Sequence, residues 1–325
     1  MKAILLNKHG GVEEMYIGEI PTPTISSDEV LVKVHATALN RADLLQRRGL
    51  YPPPPGENEV IGLEMAGEVV KVGDGVVEWR PSDRVFALLA GGGYAEYVKV
   101  HKDMLMPIPG NLGFEEAAGV AEAFLTAWQS VVWLAQLKKG ESILIHAGAS
   151  GVGTAAIQLA KHIGAEIAVT ASLGKHPICH DLGAATCIDY HSLDFASAIL
   201  KSNKNGVQVV IDFIGAPYFS KNVEVLSIDG RMVMLGFMGG TQMNNFDLRP
   251  FLFKRLKIMG STLRSRSPDY KIRLTKDFVK NGLPMFENGT LKPVIDSVFD
   301  WKEVQQAHKM MESNKNQGKV ILSVI

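Results

Sequence analysis

A glycine-rich run between two apolar segments is the clearest chemical signal in the sequence. It follows the apolar stretch 142–146, precedes a segment of helical composition that ends at Gly164, and consists of Gly148, Ala149, Ser150, Gly151, Val152, Gly153 and Thr154. Glycines let backbone N–H groups approach a pyrophosphate, and a helix N-terminus adds partial positive charge. We therefore predict dinucleotide binding at this turn, with the pattern Gly-x-x-Gly-x-Gly. The alternative is a turn that only lets helix and strand pack closely.

The residues beyond the second apolar segment indicate which dinucleotide binds. NAD-binding proteins place an Asp or Glu about 20 residues past the turn to bind the ribose 2′-hydroxyl. Here that place reads Thr170, Ala171 and Ser172, with Lys175 close behind and Tyr190 at the end of the third segment. A neutral-to-basic pocket suits a 2′-phosphate. We predict NADP, bound by Ser172, Lys175 and Tyr190; the alternative is that Lys175 and Tyr190 merely end strands.

Two kinds of module must position these residues. Short segments punctuated by glycine predict a β-barrel-like module with strands at 29–36, 64–73, 83–89 and 95–100. Apolar segments that alternate with helical ones predict a doubly wound parallel sheet, an α/β fold, with strands at 142–146, 166–171, 186–190, 208–212, 231–235 and 256–261.

The last 65 residues are a small number for an independent domain. They predict helices near 270–280 and 302–312 and strands near 294–299 and 319–324. We expect this tail to pack against the first module and make it discontinuous. The predicted domains are 1–122, 123–260 and a return to the first domain over 261–325.

Composition excludes several functional classes. The 325 residues carry 34 basic and 34 acidic side chains, so the zero net charge argues against a dedicated nucleic-acid-binding protein. Two cysteines predict a reduced compartment, and the absence of an apolar N-terminal signal favours the cytoplasm. The apolar stretch 117–137 contains Glu122, which favours a buried globular helix over a membrane span.

Several short motifs, in this order, resemble one enzyme family over essentially the whole chain. They are Asn40-Arg41-Ala42-Asp43, Gly62-Leu63-Glu64, Gly92-Gly93-Tyr94-Ala95-Glu96-Tyr97, the run from His146 to Gly153, Leu182-Gly183-Ala184, Gly236-Phe237-Met238-Gly239-Gly240, the run from Gly260 to Arg266, and Gly318-Lys319-Val320. Together they resemble the zinc-independent medium-chain dehydrogenase/reductases, in the quinone oxidoreductase (zeta-crystallin-like) branch. The resemblance implies a GroES-like β-barrel catalytic domain plus a Rossmann domain.

The resemblance also implies that no metal takes part. Zinc-dependent members of the superfamily place Cys and His ligands where this sequence has Arg41 and Leu63, which offer neither thiolate nor imidazole. One further cluster has spacing that could suit zinc: His176, Cys179, His180, Cys187, Asp189 and His191. We interpret it as surface histidines and core cysteines, because residues of a strand alternate between its two faces.

By motif match, Asn40, Asp43 and Tyr51 would line the reacting centre in a cleft between the domains. Tyr51 precedes four prolines, which stiffen the segment so that its ring could stack on a flat substrate. The alternative is a rigid surface loop with the ring packed inward. Asn40 would orient nicotinamide or acceptor, or else cap the helix that starts near Arg41.

The resemblance assigns further residues to the cofactor. Thr126 would lie beside the nicotinamide, and the backbone at Gly236 would bind its carboxamide, with Phe237 or Met238 as a wall. The alternative for this loop is flexibility with no special role. Leu263 and Arg264 follow the sixth strand, where Arg264 would reach a cofactor phosphate or form a surface ion pair.

These assignments lead to three functional hypotheses. The first is hydride transfer from NADPH to small aromatic quinones without a metal. The second is an NADPH-dependent enoyl or enone reductase, and the third is a non-catalytic NADPH-binding structural or RNA-binding protein. The apolar segment 256–261 predicts an exposed sheet edge and hence a homodimer, as in the relatives it resembles. We expect neither membrane nor nucleic-acid partners.

Overall fold

The computed structural model describes residues 1–325, which form two units: Met1–Leu125 with Leu263–Ile325, and Thr126–Thr262. The strands are β1 (Lys2–Leu6), β2 (Met15–Glu19), β3 (Glu29–Ala38), β4 (Glu64–Val72), β5 (Arg84–Leu88), β6 (Tyr97–His101), β7 (Leu105–Pro107), β8 (Ser142–Ile145), β9 (Glu166–Thr170), β10 (Thr186–Ile188), β11 (Val207–Asp212), β12 (Leu226–Met234), β13 (Lys257–Gly260), β14 (Ile295–Asp300) and β15 (Lys319–Ser323). The α-helices are α1 (Arg41–Arg47), α2 (Phe114–Ala118), α3 (Ala121–Trp128), α4 (Gly151–Ile163), α5 (His176–Leu182), α6 (Phe195–Ser202), α7 (Ala216–Val225), α8 (Arg249–Phe253), α9 (Pro268–Asn281), α10 (Pro284–Glu287) and α11 (Val304–Glu312).

A seven-stranded sheet organises the first unit. Its order is β14-β15-β3-β4-β5-β7, with β6 also paired to β3, while β1 and β2 form a separate hairpin. The long strand β3 alternates buried and half-buried residues, because successive side chains point to opposite faces. The strand β15 runs antiparallel to β3, so residues from the far end of the sequence complete this sheet.

A six-stranded parallel sheet organises the second unit. Its order is β10-β9-β8-β11-β12-β13, and every pairing in it is parallel. All four residues of the central strand β8 are buried, as expected where helices cover both faces. The order reverses between β8 and β11, which creates a crevice beyond the carboxyl ends of the strands. The predicted doubly wound α/β sheet is confirmed.

Helix boundaries differ most from the sequence prediction around two segments. The helix predicted from Thr154 begins at Gly151, because the Ser150 hydroxyl accepts a hydrogen bond from the Gly153 N–H at 3.0 Å and caps it. The apolar stretch 117–137 is divided between α2, α3 and a π-helix over Gln129–Leu134. None of the helices has the length and apolar character needed to cross a bilayer.

Candidate functional site

The N-terminus of α1 holds two of the predicted catalytic residues. Asn40 is the N-cap residue, and its backbone N–H donates to the Asp43 carboxylate at 2.7 Å. This places Asp43 in the interior, fully buried, with one carboxylate oxygen that has no partner. Burial raises the pKa of Asp43 to about 7, against the hydrogen bond from Asn40. Asp43 therefore fixes the start of the helix and holds a proton near neutral pH.

The Asn40 side chain joins a buried charge cluster. Lys319 on β15 donates to the Asn40 amide oxygen and to the Glu64 carboxylate, both at 2.7 Å. The Asn40 amide nitrogen donates to the same Glu64 oxygen at 2.8 Å. The other Glu64 oxygen accepts the Glu122 backbone N–H at 2.8 Å. Because both ends of the amide are engaged, Lys319 and Glu64 set the orientation of Asn40.

A chain of buried polar groups continues from Asp43. The Tyr94 hydroxyl lies 3.4 Å from the Asp43 carboxylate and 3.2 Å from His308 Nε2, while His308 Nδ1 lies 3.2 Å from Arg47 Nη1. Arginine only donates, so Nδ1 accepts and Nε2 carries the proton of the neutral ring. Burial, with Arg47 nearby, lowers the pKa of His308 to about 3. Sequence reasoning missed His308 because it is distant in the sequence from its partners.

Arg264 holds the segment that carries Tyr51. Its guanidinium donates to the Ala90 carbonyl at 2.6 Å, the Gln46 side chain at 2.8 Å and the Tyr51 carbonyl at 3.3 Å. The same guanidinium lies 5.3 Å from the centre of the Tyr51 ring, within cation–π range. Arg264 is only 5% exposed. The sequence predicts that Arg264 reaches a cofactor phosphate or forms a surface ion pair; in the structure it is buried, and its donors are directed to Tyr51, Gln46 and Ala90.

The glycine-rich turn has the backbone that a pyrophosphate needs. The N–H groups of Gly151 and Val152 begin the 13-residue helix α4, where no preceding turn offers carbonyl acceptors. Gly148 packs against β9, since a Cβ there would lie 2.7 Å from the Val169 Cβ. A Cβ on Gly153 would lie 2.4 Å from the Ala147 carbonyl oxygen. Two glycines thus allow close packing, and the free helix start fits a bound phosphate.

The three residues predicted to surround the 2′-phosphate lie at one edge of the parallel sheet. Ser172 follows β9, Tyr190 follows β10, and these strands are neighbours. Lys175 lies one turn after Ser172, and its backbone N–H donates to the Ser172 carbonyl at 2.9 Å. The glycine-rich turn reaches the same edge, because the Gly148 N–H donates to the Thr170 carbonyl at 3.0 Å. Tyr190 is 44% exposed, so its ring is open to a ligand.

The loop after β12 pairs with the loop after β11. The N–H groups of Met238 and Gly239 donate to the carbonyls of Phe213 and Ile214 at 3.0 and 2.8 Å. The Phe237 and Met238 side chains are more than half exposed, as a wall of the crevice would require. Asp212 ends β11 and caps this turn through the N–H groups of Ile214 and Gly215. Burial raises the pKa of Asp212 to about 6.

The remaining predicted residues are buried and do not gather around a metal. Thr126 is 9% exposed, near the end of α3, and Leu263 is 4% exposed. No group of three or more His, Cys, Asp or Glu side chains is arranged to hold a metal ion. In the cluster between His176 and His191, the His176 and His180 rings contact the carbonyls of Ala171 and Ala184. Cys179 is buried and Cys187 half-buried.

Family models match both parts of the chain. The model described as "Alcohol dehydrogenase GroES-like domain" matches residues 26–110, and the one described as "Zinc-binding dehydrogenase" matches residues 151–279. The chain is 31% identical to the Rattus norvegicus "Synaptic vesicle membrane protein VAT-1 homolog", over 99% of this chain and 84% of the relative. It is 30% identical to the Rattus norvegicus "Quinone oxidoreductase", over 99% of this chain and 97% of the relative.

Solved structures match along the whole length. An Escherichia coli quinone oxidoreductase complexed with NADPH matches with a TM-score of 0.89 and 27% identity, over 99% of this chain and 100% of that chain. The CurK enoyl reductase matches at 0.88 and 29%, over 99% and 98%. An NAD-dependent alcohol dehydrogenase matches at 0.88 and 31%, over 100% of both chains. These matches confirm the predicted fold of a GroES-like domain plus a Rossmann domain.

Proposed function

The chain belongs to the medium-chain dehydrogenase/reductase family, and from that premise we propose that it reduces small aromatic quinones with NADPH, without a metal ion. As a member of this family it is an oxidoreductase that uses a nicotinamide dinucleotide and acts on a small molecule. The quinone and NADPH assignments are supported by the rat quinone oxidoreductase and by the Escherichia coli enzyme complexed with NADPH. The observation that favours NADPH over NADH as the cofactor is the absence of a carboxylate after β9, where the sequence has Ser172 and Lys175 instead.

The cofactor site is proposed on the second unit. Residues 123–260 form the NADP-binding domain in this proposal, and 1–122 with 261–325 form the catalytic domain. The turn Gly148–Gly153 would hold the pyrophosphate, Ser172, Lys175 and Tyr190 the 2′-phosphate, and Thr126, Gly236, Phe237 and Met238 the nicotinamide. When bound, the nicotinamide supplies a hydride to an electron-poor acceptor. Leu263 is a further contact, implied by motif match alone.

On the first unit, Tyr51 is the best supported of the three catalytic candidates. Its ring is half-buried and is backed by the Arg264 guanidinium, which suits stacking on a flat acceptor. Asn40 and Asp43 are positioning residues in this proposal, because Lys319, Glu64 and the α1 backbone engage them. Metal-free chemistry is supported by Arg41, which donates to Asn314 at 2.7 Å, and by the buried Leu63.

A substrate panel tests the proposal. We expect NADPH oxidation with ortho- and para-quinones and a higher kcat/KM for NADPH than for NADH. The panel includes 2-enoyl thioesters and enones, because the CurK enoyl reductase is as similar in fold as the quinone oxidoreductases. Turnover of enoyl thioesters without turnover of quinones would replace the proposed function by enoyl reduction. NADPH binding without any turnover would favour a non-catalytic role.

The variant Tyr51→Phe, measured on the same panel, separates the role of the Tyr51 ring from that of its hydroxyl. It keeps the aromatic surface under Arg264 and removes only the hydroxyl. Unchanged kcat/KM assigns Tyr51 to stacking, whereas a lower kcat with an unchanged KM assigns the hydroxyl to the reacting oxygen.

A further inference from the structure

Helix α9 turns a lysine toward the interior of the first unit. Its buried residues are Lys271, Leu274, Thr275 and Phe278, which recur at the spacing of one helical face. The other members of this stripe are apolar or neutral. Lys271 is only 6% exposed, although an ammonium group ordinarily stays in water.

No hydrogen bond or ion pair compensates the Lys271 ammonium group. The contrast is Lys319, an equally buried lysine whose ammonium donates to a backbone carbonyl, an amide oxygen and a carboxylate. The Lys271 Nζ is not among the fully buried polar atoms that lack a partner, so the ammonium keeps some contact with solvent while most of the side chain is buried. Lys271 therefore has three N–H donors to spare where the surrounding protein does not use them.

Three charged groups lie within electrostatic range of Lys271, and two of them belong to or contact the segment that carries Tyr51. They are Glu57, which follows the four prolines, Arg264, which backs the Tyr51 ring, and Glu122 on α3. Arg264 is influenced by the same two glutamates and by Tyr51. Most other charged side chains of α9 are exposed, for example Lys276, which pairs with Asp103.

Of the two cations in this cluster, Lys271 is the one with none of its donors engaged. Arg264 is committed to Ala90, Gln46 and the Tyr51 carbonyl. Burial lowers the pKa of Lys271, and Arg264 lowers it further, against the two glutamates. A cation that is poorly solvated and free of internal partners binds an anionic oxygen strongly, because water competes little there.

We propose that Lys271 binds the acceptor, with its ammonium group on the oxygen that becomes anionic as the substrate is reduced. This inference rests on the proposed function, and it holds for a quinone, whose oxygen becomes a phenolate, and equally for an enone, whose oxygen becomes an enolate. Tyr51 supplies the aromatic surface for the same substrate. Arg264 is a positioning residue that holds Tyr51.

Kinetics and stability together separate this role from a structural one. The variant Lys271→Met keeps the length of the side chain and removes the charge, so we expect kcat/KM to fall about 10²-fold while the unfolding midpoint stays equal or rises. Lys280→Met is the matched control, since Lys280 is exposed on the same helix. We expect it to leave kcat/KM unchanged.

The pH profile gives a second readout. Lys271 must be protonated to act, so wild-type turnover should decline as the pH rises through a pKa below the ordinary lysine value. The charged and titratable groups of the same cluster are Glu57, Glu122, Arg264 and Tyr51. Lys271→Arg keeps the charge and does not titrate in this range, so the alkaline decline should disappear even if kcat is lower.

Binding of 4-nitrophenolate tests the site without turnover. Its colour reports the phenolate, and we expect the apo and NADP⁺-loaded wild-type protein to bind it at least tenfold more tightly than Lys271→Met. Equal affinities together with unchanged kcat/KM would overturn the proposal. If the wild type reduces enones but no quinone, the quinone assignment fails. The role of Lys271 is then tested by the effect of Lys271→Met on enone turnover and on nitrophenolate affinity.

Discussion

Two buried lysines in the same unit differ in their partners, and the partners determine whether the charge stabilises the fold or is available to a ligand. Lys319 is held by Glu64, Asn40 and the Leu39 carbonyl, so its charge is satisfied within the fold. Lys271 has no such partners and lies beside a segment proposed to bind substrate. Substitution of the first should therefore cost stability, and substitution of the second should cost activity.

The Lys319→Met variant should strongly destabilise the protein. It leaves the fully buried Glu64 carboxylate without its cation, and breaking such a pair costs about 3–5 kcal/mol. Urea unfolding measures the loss. The control is Lys302→Met, which breaks an exposed pair with Asp300 and should cost within about 1 kcal/mol. A loss for Lys319→Met no larger than for this control would show that the cluster is dispensable.

Sequence reasoning at the residue scale succeeded only where the partners were local. The position of Asn40 at the start of a helix followed from its residue type and from the segment after it. The pairing of Glu64 with Lys319 spans 255 residues, and no local pattern announces it. The inward position of Lys271 has a local signal, because this lysine is in register with Leu274 and Phe278 on the predicted helix.

At the scale of elements, apolar runs predicted the positions of strands most reliably. Most strands of the parallel sheet were predicted within a few residues, because each is a short apolar run bounded by polar or glycine residues. The edge strand β13 is apolar in part but has no buried residue. The start of α4 was misplaced, since glycines are poor helix formers and only the Ser150 cap reveals the true boundary. The π-helix after α3 has no sequence signature.

At the same scale, a substitution in the glycine-rich turn tests whether this turn binds the cofactor. Gly153→Ala would place a Cβ 2.4 Å from the Ala147 carbonyl oxygen and 2.6 Å from the Gly148 carbonyl oxygen. The turn must shift, so we expect NADPH affinity to fall at least tenfold and the unfolding midpoint to drop. Gly110→Ala is the control, because its Cβ would meet nothing within 4 Å. Unchanged NADPH affinity in Gly153→Ala would remove this turn from the cofactor site.

At the scale of the whole molecule, one edge of the parallel sheet is open. The strand β13 pairs only with β12, and on α8 and before it Leu248, Leu252 and Phe253 are each at least 70% exposed. An unpaired strand beside apolar side chains favours association with a second copy. We propose a homodimer through this edge.

Sedimentation velocity at micromolar concentration tests the dimer. We expect the wild type to sediment as a dimer and the double variant Leu252→Lys, Phe253→Lys to sediment as a monomer, because the lysines would have to be desolvated at the contact. Val77→Lys, at an apolar residue of the first unit that is 88% exposed, is the control and should remain dimeric. A monomeric wild type would refute the proposal.

The pairing of β15 with β3 has a consequence for biosynthesis. The first unit draws on residues up to Leu125 and again from Leu263, with the whole second unit translated in between. At about 5–20 residues per second, β3 waits roughly 15–55 s on the ribosome before β15 exists. During that interval Glu64 has no Lys319, and Ala36, Thr37 and Ala38 at the end of β3 lack their β15 partners, while β4 and β6 can already pair with the rest of the strand. We expect the nascent first unit to stay incompletely folded until β15 has been made, whereas the second unit can fold as it emerges.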